Sequence, residues 1–160
     1  MSDERRFVWS TVGVGLLALA HALVTCPFPR TVALFAGGAA LAFVAEVVGI
    51  NLGLLDHHVG PKVLGAPVYV LFGWTGTIYV ALRIALLVTG GVSAILVAAA
   101  LTTTYDILVD HRGVEEGLWT YTDDLPGPRH RGVPWWNYAG WFLLTTLTST
   151  LALAGPNILS

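Results

Sequence analysis

Five stretches of this chain, roughly residues 7–26, 31–54, 64–88, 91–110 and 133–154, run almost without charge. Each is near the ~20 apolar residues that a helix needs to cross a hydrocarbon core about 30 Å thick. Together they take up most of the 160 residues. Too little polar sequence remains to cover them in water. Only 11% of residues are charged, where soluble domains carry about 25%. Mean hydropathy is correspondingly high, +0.71. The predicted fold is all-α: a polytopic membrane bundle of about five transmembrane helices, forming one integral membrane domain over residues 1–160.

The breaks between stretches are chemically plain. "CPFPR" (26–30) places two prolines where a helix interior would lose hydrogen bonds. "DHHVGPK" (56–62) and "TGG" (89–91) break the next two pairs, and 111–132 is the one long polar loop. No internal repeat or low-complexity tract is evident. Arg5-Arg6 ahead of residues 7–26 resembles a signal peptide, but the apolar run exceeds the ~7–15 residues of a signal core, so an uncleaved first helix is expected. Net charge is −2, with no basic surface for nucleic acid. Cys26 stands alone, so neither an intrachain disulfide nor a cysteine-based metal site is expected.

Orientation follows from the positive-inside bias. With the N-terminus inside, Arg5, Arg6, Lys62, Arg112, Arg129 and Arg131 all lie inside, six of the eight basic residues. Arg30 lies outside, and Arg83 can snorkel outward. The expected protein is therefore a multi-pass protein of the cell membrane with a cytoplasmic N-terminus. The inner ends of segments two and four, and the start of segment five, then meet at one depth.

That depth holds the carboxylates. Thr102, Asp106 and Asp110 fall at i, i+4 and i+8 on one helix face. Asp110 either marks the membrane–water boundary or joins a site. A charged Asp106 deep in the bilayer would cost about 2.5–3.5 kcal/mol on insertion scales. It escapes that cost by carrying a proton, by bonding Thr or Trp, or by facing a polar cavity. Glu46 has apolar neighbours for a full turn on both sides. It either makes an interhelical hydrogen bond, to backbone or Asn51, or serves as a general acid in an apolar site. Gly49 and Gly53 form a small-residue face suited to close helix packing. Trp74, Tyr79, Trp119, Tyr121, Trp135, Trp136, Tyr138 and Trp141 suit an interfacial belt or a pocket whose ring faces stabilise a cation. His57, His58, His111 and His130 lack the i, i+4 spacing of a helical metal site, so no metal is expected. Lys62, the only lysine, is in a loop, which argues against a Schiff base inside the bundle.

"AEVVGINLGLL", "LGAPVYVLFGW", "TTTYDILVDHRGVEEGLWTY" and "RGVPWWNYAGW", in this order and spacing, resemble the carotenoid biosynthesis membrane protein family. That family includes CruF-type carotenoid 1,2-hydratases and bisanhydrobacterioruberin hydratases. The likeness covers roughly residues 44–145. It departs from the usual pattern at His111, where proline is common, and at "LLDHHVG", which lacks the family's tyrosines. The resemblance implies addition of water across the terminal isopropylidene double bond of an acyclic carotenoid, giving a tertiary alcohol. It implies no redox cofactor and no metal. The residues suit that chemistry: the expected catalytic residues are Glu46 or Asp106 as proton donor and Asp110 as the water-side partner, with Trp74, Tyr105, Trp119, Tyr121, Asn137 and Trp141 expected to bind substrate. The expected partners are the lipid bilayer, the membrane-embedded carotenoid, and a second copy or other membrane enzymes of the pathway. Three alternatives stand beside this: a non-catalytic carotenoid-binding or assembly subunit, a Mg-dependent prenyl transferase using Asp106 and Asp110, and a proton path.

Overall fold

Proline and glycine set where the helices stop. In the computed structural model, which describes residues 3–122 and 124–154, five helices alternate with short strands. Helix α1 (Asp3–Thr25) ends before Pro27. Helix α2 (Phe28–Asn51) starts with Pro29 in its first turn, where a missing N–H costs nothing, and widens into a π turn at Ala33–Gly37. Strand β1 (Leu55–His57) and the hairpin β2–β3 (Lys62–Val63, Ala66–Pro67) lead into α3 (Val68–Val88). Helix α4 (Gly91–Glu115) follows, then β4 (Trp119–Tyr121), the hairpin β5–β6 (Arg129–His130, Val133–Pro134), and α5 (Trp135–Ala154).

Four of these helices, α1 to α4, are long and apolar enough to cross a membrane. The fifth expected span, 133–154, does not meet that mark as α5. Its first turn carries Trp135, Trp136, Asn137 and Tyr138, and its second half is rich in threonine. The bundle buries part of that polarity, pairing Thr145 and leaving the Thr148 and Ser149 hydroxyls without a partner among the described residues. Thr145, Thr148 and Ser149 are fully buried, and Thr145 shares a 2.8 Å hydrogen bond with Thr102 of α4. Thr146 and Thr150 donate to the carbonyls one turn back. Outside the bundle, Leu17, Val24 and Leu87 are 73–87% exposed. Such apolar exposure is at home in lipid and a liability in water. Helix α3 is central, with Ala81 and Ala85 packed in one cluster with Ala18 and Ala22 of α1 and Ala94 and Ala98 of α4. Small side chains let these backbones approach.

An internal repeat, not evident in the sequence, organises the rest. Residues 28–88 and 91–154 are two copies of one helix–strand–hairpin–helix unit. Gly53 and Gly117 end the first helix of each copy with the same φ of +69°. Each hairpin turns through two left-handed residues, Leu64 (φ 51°) and Gly65 (φ 87°) in one, Arg131 (φ 50°) and Gly132 (φ 88°) in the other. Positive φ at both central positions is the signature of a type I′ turn. Ile50 packs on Gly65 as Val114 packs on Gly132. The copies meet through β1 and β4, which pair antiparallel with Asp56 opposite Thr120. His58 N–H donates to the Leu118 carbonyl (2.8 Å), and Thr122 N–H donates to the Leu54 carbonyl (2.9 Å). That reciprocity is what an approximate two-fold relation produces. It also corrects the reading of Gly49 and Gly53 as a packing face: neither has a neighbour within 4 Å of an added Cβ, and Gly53 is a helix stop.

Candidate active site

The repeat carries acids from two helices to one place. Glu46 lies seven residues before Gly53, and Asp110 lies seven before Gly117, so they hold equivalent positions at the ends of α2 and α4. Each bonds a side chain eleven residues later, in its own copy's strand. Glu46 Oε2 is 3.0 Å from His57 Nε2, and Tyr121 donates to Asp110 Oδ2 at 2.9 Å. Burial, then the fields of Asp110 and Asp106, push the Tyr121 phenol well above its ordinary range, so it stays a donor. Trp74 and Trp141 are equivalent too, each seven residues after its hairpin proline, and their rings stack at 3.6 Å and 18°. Trp74 Nε1 donates to Glu46 Oε1 at 3.2 Å.

Asp106 breaks the pattern. Its equivalent in the first copy is Ala42, and that of Asn137 is Val70. Asn137 Nδ2 donates to Asp106 Oδ2 at 2.8 Å. The described residues give the other Asp106 oxygen no donor. Asp106 is 2% exposed and Glu46 8%, so neither is an interfacial group.

All nine residues singled out from the sequence line one cavity of about 370 Å3: Glu46, Asp106, Asp110, Trp74, Tyr105, Trp119, Tyr121, Asn137 and Trp141. Phe7 and Thr11 of α1 and Gly73 and Thr77 of α3 complete a largely apolar wall. Tyr105 is half exposed at the cavity's rim, and exposed Arg112 and Glu116 line it toward the end of α4. Trp119 can lie flat on α4 only because residue 113 is glycine; a Cβ there would sit 2.0 Å from the ring. A volume at the low end of the about 300–1,000 Å3 of small-molecule pockets suits the end group of a long molecule, not its whole length.

His57 is a chamber residue that the sequence does not single out: it reads as one of four scattered histidines, yet it is buried in the chamber wall. Lys62 donates to its carbonyl and holds the strand in place. The eleven-residue step that Glu46–His57 shares with Asp110–Tyr121 was the available signal. The expectation of a Glu46–Asn51 bond is corrected as well: Asn51 donates to the Val47 carbonyl instead. Two buried polar atoms of residues lining this region, His57 Nδ1 and Tyr69 Oη, have no hydrogen-bond partner among the described residues. Such groups are rare inside proteins, and they equip the chamber to hold water or a hydroxyl. Among the described residues, no three His, Cys, Asp or Glu side chains are grouped to hold a metal ion.

These features define a helical membrane protein with an acid-walled, aromatic chamber. Residues 7–157 match the model of the carotenoid biosynthesis protein family, and the chain belongs to that family. Among curated proteins and solved structures, nothing matches the chain.

Proposed function

We propose that the protein is a carotenoid hydratase: it adds water to the terminal isopropylidene double bond of an acyclic carotenoid. Asp106 gives its proton to the terminal alkene, leaving a tertiary cation on the adjacent carbon. The stacked Trp74–Trp141 pair and Trp119 present ring faces to that cation, each worth about 0.5–2 kcal/mol. Glu46 accepts from Trp74 Nε1 and lies 3.0 Å from His57 Nε2, and Asp110 accepts from Tyr121, so both carboxyls are held in place beside the cavity. Either takes a proton from the attacking water and passes it back to Asp106, which closes the balance: the alkene π bond and one water O–H bond break, and one C–H and one C–O bond form. His57 sets the orientation of Glu46. Two carboxyl environments thus divide the roles of acid and base.

The observation that carries this reading is the chamber itself: Glu46, Asp106 and Asp110, from two helices, line one cavity together with Trp74, Trp119 and Trp141. The test is mass spectrometry of pigments after membranes bearing the protein meet an acyclic carotenoid. A product heavier by one water per end is expected, undiminished by metal chelation. Loss of activity on chelation would favour a Mg-dependent prenyl transferase. Polyene that stays bound and unchanged would favour a carotenoid-binding or assembly subunit. Flux of protons in liposomes would favour a proton path. The cytoplasmic N-terminus and cell-membrane location belong to the same proposal, as do partnerships with a second copy or with other enzymes of the pathway.

A further inference from the structure

Two basic residues, Arg30 and Arg83, lie apart from the rest, at the end of the bundle away from the chamber. The chamber is lined by the starts of α1 and α3, at Phe7, Thr11, Gly73 and Trp74. Both arginines line a second cavity, of about 150 Å3, built from the far ends of the same helices at Ala22, Thr25, Leu82 and Leu86. Its remaining walls come from the start of α2 and the end of α5.

Charge is lopsided around this cavity. Every Asp and Glu of the chain falls within 3–4, 46–56 or 106–124, all toward the chamber end. Among the described residues, no carboxylate pairs with either arginine. Arg83 Nη1 donates to Cys26 Sγ at 3.4 Å, a weak acceptor for one of the five N–H donors of a guanidinium. The hydroxyls nearby are already committed. Thr25 donates to the His21 carbonyl at 2.8 Å, Thr31 donates to the Ala22 carbonyl at 3.3 Å, and Tyr79 Oη lies 2.7 Å from His21 Nδ1.

The cavity therefore offers a ligand two positive charges over an apolar floor of Leu34, Phe35 and Leu82. A cation at the edge of a bilayer is costly unless it reaches water or a counterion. Arg83 stands five residues before the end of α3 at Val88, roughly 7.5 Å along the helix axis, which suits headgroup depth. A guanidinium meets a phosphate through two parallel N–H···O bonds. No acid stands at this end to hold an ammonium group, so a phosphate without a choline beside it is the better match. Leu86, Leu87 and Val88 are exposed next to the cavity and give acyl chains an apolar surface.

We propose that Arg30 and Arg83 bind the phosphate of an anionic phospholipid, whose headgroup enters this cavity while its acyl chains lie along the end of α3. The site is independent of the hydratase reading. A lipid held there ties α1, α2 and α3 together at the end of the bundle that has none of the described strands.

The test titrates the purified protein in detergent with phosphatidylglycerol, phosphatidylcholine or inorganic phosphate, and native mass spectrometry counts the bound species. Phosphatidylglycerol should bind roughly twentyfold tighter than phosphatidylcholine, and an equal concentration of inorganic phosphate should not displace it. Arg30→Gln and Arg83→Gln should each cut that preference about fivefold, the scale of one cation beside an anionic headgroup, and the double variant should abolish it. Arg5→Gln removes the same charge at the other end of α1 and should leave the preference unchanged. Arg30 is exposed, so Arg30→Gln reads out the site even where loss of Arg83 disturbs folding. A preference undiminished in Arg30→Gln overturns the proposal, as does an equal loss in Arg5→Gln, which would reduce the effect to net charge. Displacement by inorganic phosphate would make this a site for the free ion and overturn the lipid.

Discussion

The two copies of the repeat share a scaffold and differ in chemistry. Glu46 with His57 in the first matches Asp110 with Tyr121 in the second. Where the second has Asp106 bonded to Asn137, the first has buried Ala42 and Val70. Where the second needs Gly113 to seat Trp119, the first has Gly49 in open space and Leu55 in place of the indole. Symmetry therefore explains why acids from separate helices meet. On the hydratase reading, the departures from symmetry assign the reactive proton to the second copy. A two-fold scaffold with identical halves would present two equal carboxyls and no division between acid and base.

The sharpest way to break the comparison is to make the second copy like the first. Asp106→Ala with Asn137→Val should lower hydration at least about a hundredfold, the scale of a lost general acid. The fold should be kept or strengthened, because removing both partners of a buried polar pair leaves nothing unpaired. Pigment mass spectrometry and thermal unfolding in detergent check the two halves of that statement. Gly113→Ala should come next. Its Cβ would collide with Trp119 at 2.0 Å, so the ring must leave the chamber wall, at about 1–3 kcal/mol of stability. Gly49→Ala, at the equivalent site, should be neutral or slightly stabilising, since alanine is the better helix former. Unfolding midpoints of the two variants should separate accordingly.

Smaller effects follow in the strands. Tyr121→Phe and His57→Phe each remove the side chain that holds a carboxylate, and each should cost about 1–3 kcal/mol of stability. If the copies share roles as well as geometry, the two losses in turnover should agree within about tenfold, measured under the same conditions. Least of all, Trp74→Phe should remove one N–H bond to Glu46 while keeping an aromatic face, for about 1 kcal/mol in the activation barrier. An activity loss larger than that of Tyr121→Phe would show that the indole N–H matters more than the ring.

Much of this was legible in the sequence, for physical reasons. Runs of helix length with almost no charge suit a bilayer interior, and a carboxyl inside one needs a partner or a purpose, which singles out Glu46, Asp106 and Asp110. The convergence followed from orientation, because the ends that carry them share a side. The strands were not legible. Pieces of two or three residues show no alternation, and their pairing at β1–β4 links parts of the chain more than sixty residues apart. The repeat hid because between 65–74 and 132–141 only glycine, proline, glycine and tryptophan coincide; the apolar positions exchange freely in a lipid-facing helix. His57 hid with it. Helix α5 differs from the other runs in its threonines, of which Thr145 bonds Thr102 of α4 and Thr146 bonds the carbonyl one turn back in its own helix.

The most direct test of the account is carbodiimide labelling of the membrane-embedded protein, followed by mapping of the modified carboxyl. The reagent enters from lipid and reacts with a carboxyl that carries its proton. The account predicts labelling at Asp106, blocked by an acyclic carotenoid and absent from Asp106→Asn. Labelling of Glu46 or Asp110 in its place, or labelling of Asp106 that the carotenoid does not block, would contradict it.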